Sequence, residues 1–203
     1  MNEQEKFWMD TFGTEYIGRN KIENLLPANM NLFSKILSQC GKISSVLELG
    51  CNIGANLKAL ELLSPQIKLT GVEINKNAAS LARNEFPGSN IVEQSIIEPL
   101  HYPSDLVLTK TVLIHISPEK LVNVYENLYN NSLKYILIAE YYNPNPIDVV
   151  YRGHKDKLFK RDFCGELLDR YPKLKLVDYG FNYHRDPEFP QDDINWFLMK
   201  KDN

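Results

Sequence analysis

Val-Leu-Glu-Leu-Gly-Cys-Asn-Ile-Gly-Ala-Asn, residues 46–56, is the stretch whose reading decides the fold. The short run from Ser44 to Leu49, rich in Val and Leu, predicts a buried strand, and Leu57, Leu60 and Leu63 recur at helical spacing after Gly54. Strand, glycine loop and helix therefore follow one another, and Gly50 and Gly54 let the backbone turn sharply and pass close to a ligand. Working outward, Ile67–Val72 predicts a second strand ending at Glu73, and Asn75 is placed to cap a helix carrying Ala78, Leu81 and Ala82. Ile91 and Val92 begin a third strand, and Asp105–Thr109 makes a fourth. Ser117, Pro118 and Glu119 open another helix with Leu121, Val124, Tyr125 and Leu128 on its apolar face, and Tyr135–Ala139 gives a fifth strand. Short apolar strands alternating with amphipathic helices predict a doubly wound, mostly parallel sheet with helices on both faces.

The flanks read differently. Phe7, Trp8, Phe12 and Tyr16, followed by Leu32, Phe33, Ile36 and Leu37, predict a helical N-terminal cap over residues 1–43. Residues 44–140 form the half with the glycine loop. After Glu140, Tyr-Tyr-Asn-Pro-Asn-Pro interrupts regular structure, and Val149–Arg170 reads as a polar insertion with one helix near Arg161–Asp169, within a segment 141–172. Two closing strands, Leu174–Tyr183 and Ile194–Lys200, leave no room for a crossover helix and predict an antiparallel edge hairpin in residues 173–203. The expectation is one α/β domain around a seven-stranded sheet.

Composition narrows the function classes. The chain has 203 residues, 43% of them hydrophobic and 24% charged, which fits one folded domain and opposes disorder. A net charge of −3 offers no general field for a nucleic-acid backbone. Cys40, Cys51 and Cys164 lack metal-ligand or disulfide spacing, so no metal is expected. No secretory signal and no run of the roughly 18 to 20 apolar residues needed for a membrane span is visible, and the expectation is a soluble cytoplasmic protein without a membrane partner. The oligomeric state is left open.

In open parallel sheets ligands bind at the carboxyl ends of the strands. Glu73, ending the strand after the glycine loop, stands where a carboxylate accepts hydrogen bonds from a ribose diol. Glu48, two residues before Gly50, repels a pyrophosphate and attracts an ammonium group, which separates the candidates for the bound nucleoside. Cys51 inside the loop reads as a small packing residue, since no activating base is identifiable for it.

With these residues in view, the chain resembles the class I S-adenosylmethionine-dependent methyltransferases, which have a Rossmann-like fold. Glu-Leu-Gly-Cys-Asn-Ile-Gly is similar to their first motif, and Gly-Val-Glu-Ile-Asn places Glu73 at their ribose-binding acid. The resemblance implies S-adenosyl-L-methionine as cofactor and S-adenosyl-L-homocysteine as product. Gln94 and Ser95 fall at the adenine edge, and Asp105–Ile116 is similar to the fourth-strand motif. The implied cofactor-binding set is Glu48, Gly50, Cys51, Asn52, Gly54, Glu73, Ile74, Gln94, Ser95 and Thr109. Asn52 replaces a usual glycine, and Ser95 stands where an acid is common. Segments at Phe7–Asn20, Ala139–Pro146, Tyr151–Phe163 and Tyr183–Asp193 further resemble the pseudaminic acid biosynthesis-associated methylases, which implies a sugar-derived acceptor in nonulosonic acid chemistry.

For catalysis the candidates are His115, His154 and Tyr141, since a hydroxyl acceptor must lose its proton to a base. Tyr142, Asn143, Arg152, Arg161 and His184 are the substrate-binding candidates. Arg152, Lys155, Lys157, Lys160 and Arg161 against Asp156 make the insertion locally basic, which suits a small anionic sugar or nucleotide sugar with O- or N-methylation. Two alternatives share the fold signal: a nicotinamide-dependent oxidoreductase, opposed by Glu48, and a non-catalytic cofactor-binding partner of a sugar-pathway enzyme.

Overall fold

The computed structural model describes residues 3–18, 21–151 and 153–202. The predicted alternation forms as read. Strand β1 (Ser45–Leu49) leads through the glycine loop into helix α4 (Ala55–Leu63), and β2 (Lys68–Glu73) leads into α5 (Lys76–Glu85). Then come β3 (Asn90–Glu93), β4 (Ser104–Lys110), α6 (Leu121–Asn131) and β5 (Ser132–Glu140). Asn75 caps α5, accepting from the backbone N–H groups of Asn77 and Ala78 at 3.0 Å each. The seven-stranded sheet runs β3-β2-β1-β4-β5-β9-β8, where β8 is Leu174–Asn182 and β9 is Ile194–Lys201. The first five strands are parallel, whereas β9 pairs antiparallel with both β5 and β8.

Alternating side chains of the strands feed two cores. Val46, Leu106 and Leu137 pack with Leu57 and Leu60 of α4 and with Phe33 of helix α3 (Ile22–Gln39). Leu47, Leu49, Val107 and Ile136 point the other way, against Leu121, Val124 and Leu128 of α6 and against α7 (Phe163–Arg170). Each fully buried leucine contributes about 1.5 to 3 kcal/mol, so these side chains fix which face every strand presents. The cap consists of α1 (Glu3–Met9), α2 (Thr11–Ile17) and α3.

The insertion differs in part from expectation. Its one helix is α7, Phe163–Arg170, close to the expected Arg161–Asp169, but Ile147–Tyr151 (β6) and His154–Lys160 (β7) ahead of it form an antiparallel hairpin. Its physical basis is two-faced: Leu158 and Phe159 are buried, whereas Ile147, Asp148 and Val150 face solvent. Lys155, Asp156, Lys157 and Lys160, four of the charged residues behind the polar reading, sit on β7, a strand that also supplies core. Arg152 lies outside the described residues. Among the described residues no helix is long and apolar enough to cross a membrane, and no cluster of His, Cys, Asp or Glu side chains is arranged to hold a metal ion.

Candidate functional site

The carboxyl ends of β1, β2 and β4 open into a cavity of about 500 Å³ that is covered by α1 and α2 and bordered by the β8–β9 connection. Its floor is the glycine loop. Gly50 has φ +77°, and a Cβ there would meet Val112 at 2.6 Å, so the close approach to the β4 loop requires glycine. The N–H groups of Gly50 and Cys51 both donate to Val72 O, at 2.8 and 3.0 Å. Asn52 takes φ +49°, a conformation that Asn tolerates better than most residues. Gly54, at φ +85°, packs against Phe86 rather than lining the cavity.

Glu73 lines the cavity and ties the loop to the next strand end. One carboxylate oxygen accepts from Asn52 N at 2.8 Å and the other from Asn75 N at 2.8 Å. Burial pushes its carboxyl above the usual range, against those backbone donors. Glu48 is fully buried and touches the cavity only through Asn56, whose Nδ2 donates to Glu48 Oε1 at 2.6 Å. Burial pushes the Glu48 carboxyl up to about 7, while Asn56 and Lys110 pull it down. Three buried acceptors around this loop have no partner: Glu48 Oε2, Asn52 Oδ1 and Asn56 Oδ1. An orphaned buried acceptor costs about 1 to 3 kcal/mol, and three gathered at one cavity end suit a ligand rich in N–H donors. Cys51 is buried, its thiol donates to Asn52 O at 3.7 Å, and burial followed by the charges of Glu48 and Glu73 raises it far from thiolate formation.

His115 occupies the 3-10 turn Leu113–His115 after β4 and lines the cavity. Its Nδ1 lies 2.8 Å from Lys157 O of the insertion hairpin; a carbonyl only accepts, so Nδ1 carries the proton and Nε2 keeps a lone pair. Burial pushes the imidazole down to about 4, so it is neutral across the physiological range. Trp8 of the cap and Tyr151 of the hairpin pack on its ring at 4.5 and 5.1 Å between centroids. Glu140, ending β5, holds the turn by accepting from Val112 N and Leu113 N at 2.8 and 2.9 Å. Between β4 and this turn Thr111 adopts φ +56°, unfavourable for a β-branched residue and sustained by its bond to Ala139 O at 2.9 Å.

The other expected residues divide. Ile74, Ser95 and His184 join Gly50, Cys51 and Asn52 in the lining. Gln94 turns away to Pro99 O at 3.1 Å, and Thr109 is buried inside β4 with its hydroxyl unpartnered. Tyr141 reaches the site indirectly, donating its hydroxyl to the lining residue Asp192, and burial followed by that bond pushes its pKa up and keeps it protonated. Tyr142 packs on Phe197 at 6.0 Å and Asn143 bonds Asn145 O, neither lining the cavity. His154 contributes backbone to β7, and its side chain lies outside what is described. Arg161 corrects the anion-clamp expectation: it pairs with Glu166 at 3.2 Å, on the α7 side of the sheet, because Glu166 also fixes the Tyr125 hydroxyl there. Lys157 and Lys160 lie over the rings of Phe7 and Tyr141.

Sequence reasoning passed over Lys110, Glu140, Trp8 and Asp192. Lys110 is the one Lys or Arg among the described lining residues, and burial lowers its pKa against the pull of Glu48, Asp192 and Glu140. Its only sequence signal is a charge at the end of an apolar strand.

Residues 47–130 match the family described as Methyltransferase domain. No curated protein sequence matches the chain. Among solved structures, the magnesium protoporphyrin IX methyltransferase of Synechocystis PCC 6803 with bound S-adenosylhomocysteine superposes with a TM-score of 0.68 at 12% identity, over 98% of this chain and 100% of that one. The plantazolicin methyltransferase BpumL, also in complex with that molecule, gives a TM-score of 0.66 at 15% identity, over 98% of this chain and 94% of the other. A methyltransferase of Clostridium acetobutylicum ATCC 824 gives 0.64 at 11% identity, over 91% and 93%. Likeness at these identities is a likeness of fold.

Proposed function

We propose that the chain transfers a methyl group from S-adenosylmethionine to a small acceptor, with His115 as the general base. The observation that carries the reading is one cavity uniting the glycine turn, Glu73 and a buried neutral histidine. The residues present fit the cofactor: Glu73 suits a ribose diol, and the unpartnered Asn52 Oδ1 and Asn56 Oδ1, with Glu48 behind them, suit an ammonium group. When bound, S-adenosylmethionine supplies an electrophilic methyl group on a sulfonium.

The chain's own tasks are alignment, dehydration and proton removal. Bringing the acceptor within about 3 to 3.5 Å of its target supplies most of the gain from proximity, and α1 and α2 cover the cavity against water. His115 Nε2 takes the proton from an acceptor hydroxyl or amine, a contribution of about 10² to 10⁴-fold. Its Nδ1–H stays on Lys157 O, which holds the tautomer, and Glu140 holds the turn. Lys110 provides a cation for one acid group of the acceptor. Together with the likeness of the flanking segments to methylases of nonulosonic acid pathways, this supports a sugar-derived acceptor with a single acid group and places no weight on Arg161.

Calorimetry and transfer assays test the reading. S-adenosylhomocysteine is expected to bind and NAD not to bind, and label from S-adenosylmethionine is expected on free or nucleotide-activated nonulosonic acids. Transfer to none of them would remove the acceptor claim. Binding of NAD alone would turn the assignment to an oxidoreductase, and cofactor binding without transfer to any acceptor would favour a non-catalytic partner.

A further inference from the structure

The rim of the cavity at His184 continues into an aromatic row along the edge of the sheet. β8 is the last strand, and residues two apart on a strand share a face, so Tyr179 and Phe181 point the same way. They are 66% and 55% exposed, and Tyr183, just past β8, and Tyr142, just past β5, are exposed with them. Tyr179 and Tyr142 both lie against Phe197, at 6.4 and 6.0 Å between centroids, which seats this end of the row on the core. Phe181 lies 6.1 Å from Tyr183, and Tyr183 meets the His184 ring edge-on at 4.9 Å. His184 lines the cavity and is fixed by Asp193, which accepts from its backbone N–H at 3.0 Å and holds Nδ1 at 2.8 Å.

A single exposed aromatic needs no explanation, but a contiguous row of them on a folded surface marks a binding site. Three of the four exposed rings are tyrosines, which present an apolar face and a hydroxyl tip. The outer side of an edge strand adds a line of backbone N–H and C=O groups. A sugar ring has the matching character, with C–H groups on its faces and hydroxyls around its rim. From Tyr179 to Tyr183 the row extends about 13 Å, four residues of extended chain, which is longer than one sugar ring. A second copy of the chain or a peptide strand would also suit an edge strand, but the row leads through Tyr183 and His184 into the cavity, which favours a ligand that ends there. We propose that the row carries the inner sugars of a short oligosaccharide whose terminal acid sugar enters the cavity past His184, so that the acceptor is the end of a glycan chain. The inference rests on the sugar-acceptor reading above.

The test compares N-acetylneuraminic acid with sialyllactose, in which the same nonulosonic acid is joined to two neutral hexoses, by calorimetry on the full chain saturated with S-adenosylhomocysteine. Wild type is expected to prefer the trisaccharide by about 3- to 10-fold for each hexose stacked on a ring. Phe181→Ala should lose that part of the preference without weakening the monosaccharide, and Phe181→Tyr, which keeps the ring, should retain it. Equal wild-type affinities, an undiminished preference in Phe181→Ala, or its loss in Phe181→Tyr overturns the inference alone. A wild-type dimer that Phe181→Ala dissociates, seen by light scattering, makes the row a contact between copies and also overturns it. Wild type that binds S-adenosylhomocysteine but neither sugar overturns the sugar-acceptor reading and the inference with it.

Discussion

Glu140→Gln isolates the energetics beneath the turn that carries His115. Burial pushes the Glu140 carboxyl from an ordinary 4.5 up to about 7, although three backbone donors from Val112, Leu113 and Ile114 favour its anion. The native state thus holds the proton more tightly than the unfolded chain, and the stability it confers is lost as pH rises through about 7. At about 1.36 kcal/mol per pKa unit, integration between pH 5 and pH 8 gives a loss of about 2.5 kcal/mol in wild type. The glutamine variant keeps the Oε1 acceptor and does not titrate. Its amide nitrogen would replace Oε2, which is buried without a partner, and that constant cost cancels when the two pH values are compared. Urea unfolding of both proteins at pH 5 and pH 8 is the assay, and the variant should gain about 2.5 kcal/mol relative to wild type at the higher pH. A relative stability independent of pH would refute the raised carboxyl and the dry environment it implies.

His115→Ala should lower kcat by about 10² to 10⁴-fold and leave S-adenosylhomocysteine affinity nearly intact. Because the imidazole is depressed to about 4, the His115 ring followed by NMR should stay neutral down to about pH 5; protonation near 6.5 would contradict a buried neutral base. Gly54→Ala forces a Cβ into the Phe86 ring at φ +85° and should cost about 2 kcal/mol or more in urea unfolding. Arg161→Ala should reduce stability by about 1 kcal/mol through loss of the Glu166 pair, with acceptor KM unchanged; a raised KM would restore the anion clamp.

The sheet was legible because its central strands are buried on both faces, so that Val46, Leu47 and Leu49 crowd one strand and Leu106–Leu108 make a continuous apolar run in the next, which local reading detects. Glu73 and the glycine loop were legible because their relation depends on one strand-helix-strand unit. The insertion hairpin was not, since its buried residues, Leu158 and Phe159, are outnumbered by charged neighbours, and the basic residues of β7, two of them lying over aromatic rings, present a polar average. Lys110 reaches the cavity, and Glu140 the turn beside it, only when separate strands converge. The same long-range packing turned Arg161 away: its partner, Glu166, is close in sequence, but the placement of both is decided by Tyr125 on α6.

The order of the last strands has a consequence for biosynthesis. β9 lies between β5 and β8, yet it leaves the ribosome after both, so β8 has no neighbour to join when it emerges. The apolar edge of β5 must wait for Ile194–Lys201 to be inserted, and the connection bearing His184, Gln191 and Asp192 reaches the cavity in the same event. Gln191 then donates to Asn29 Oδ1 at 3.2 Å, joining the two ends of the polypeptide. A nascent chain stalled before residue 194 would therefore hold most of its sheet while the β8–β9 connection has no strand to anchor it, which makes closing that side of the pocket a late event in the making of this protein.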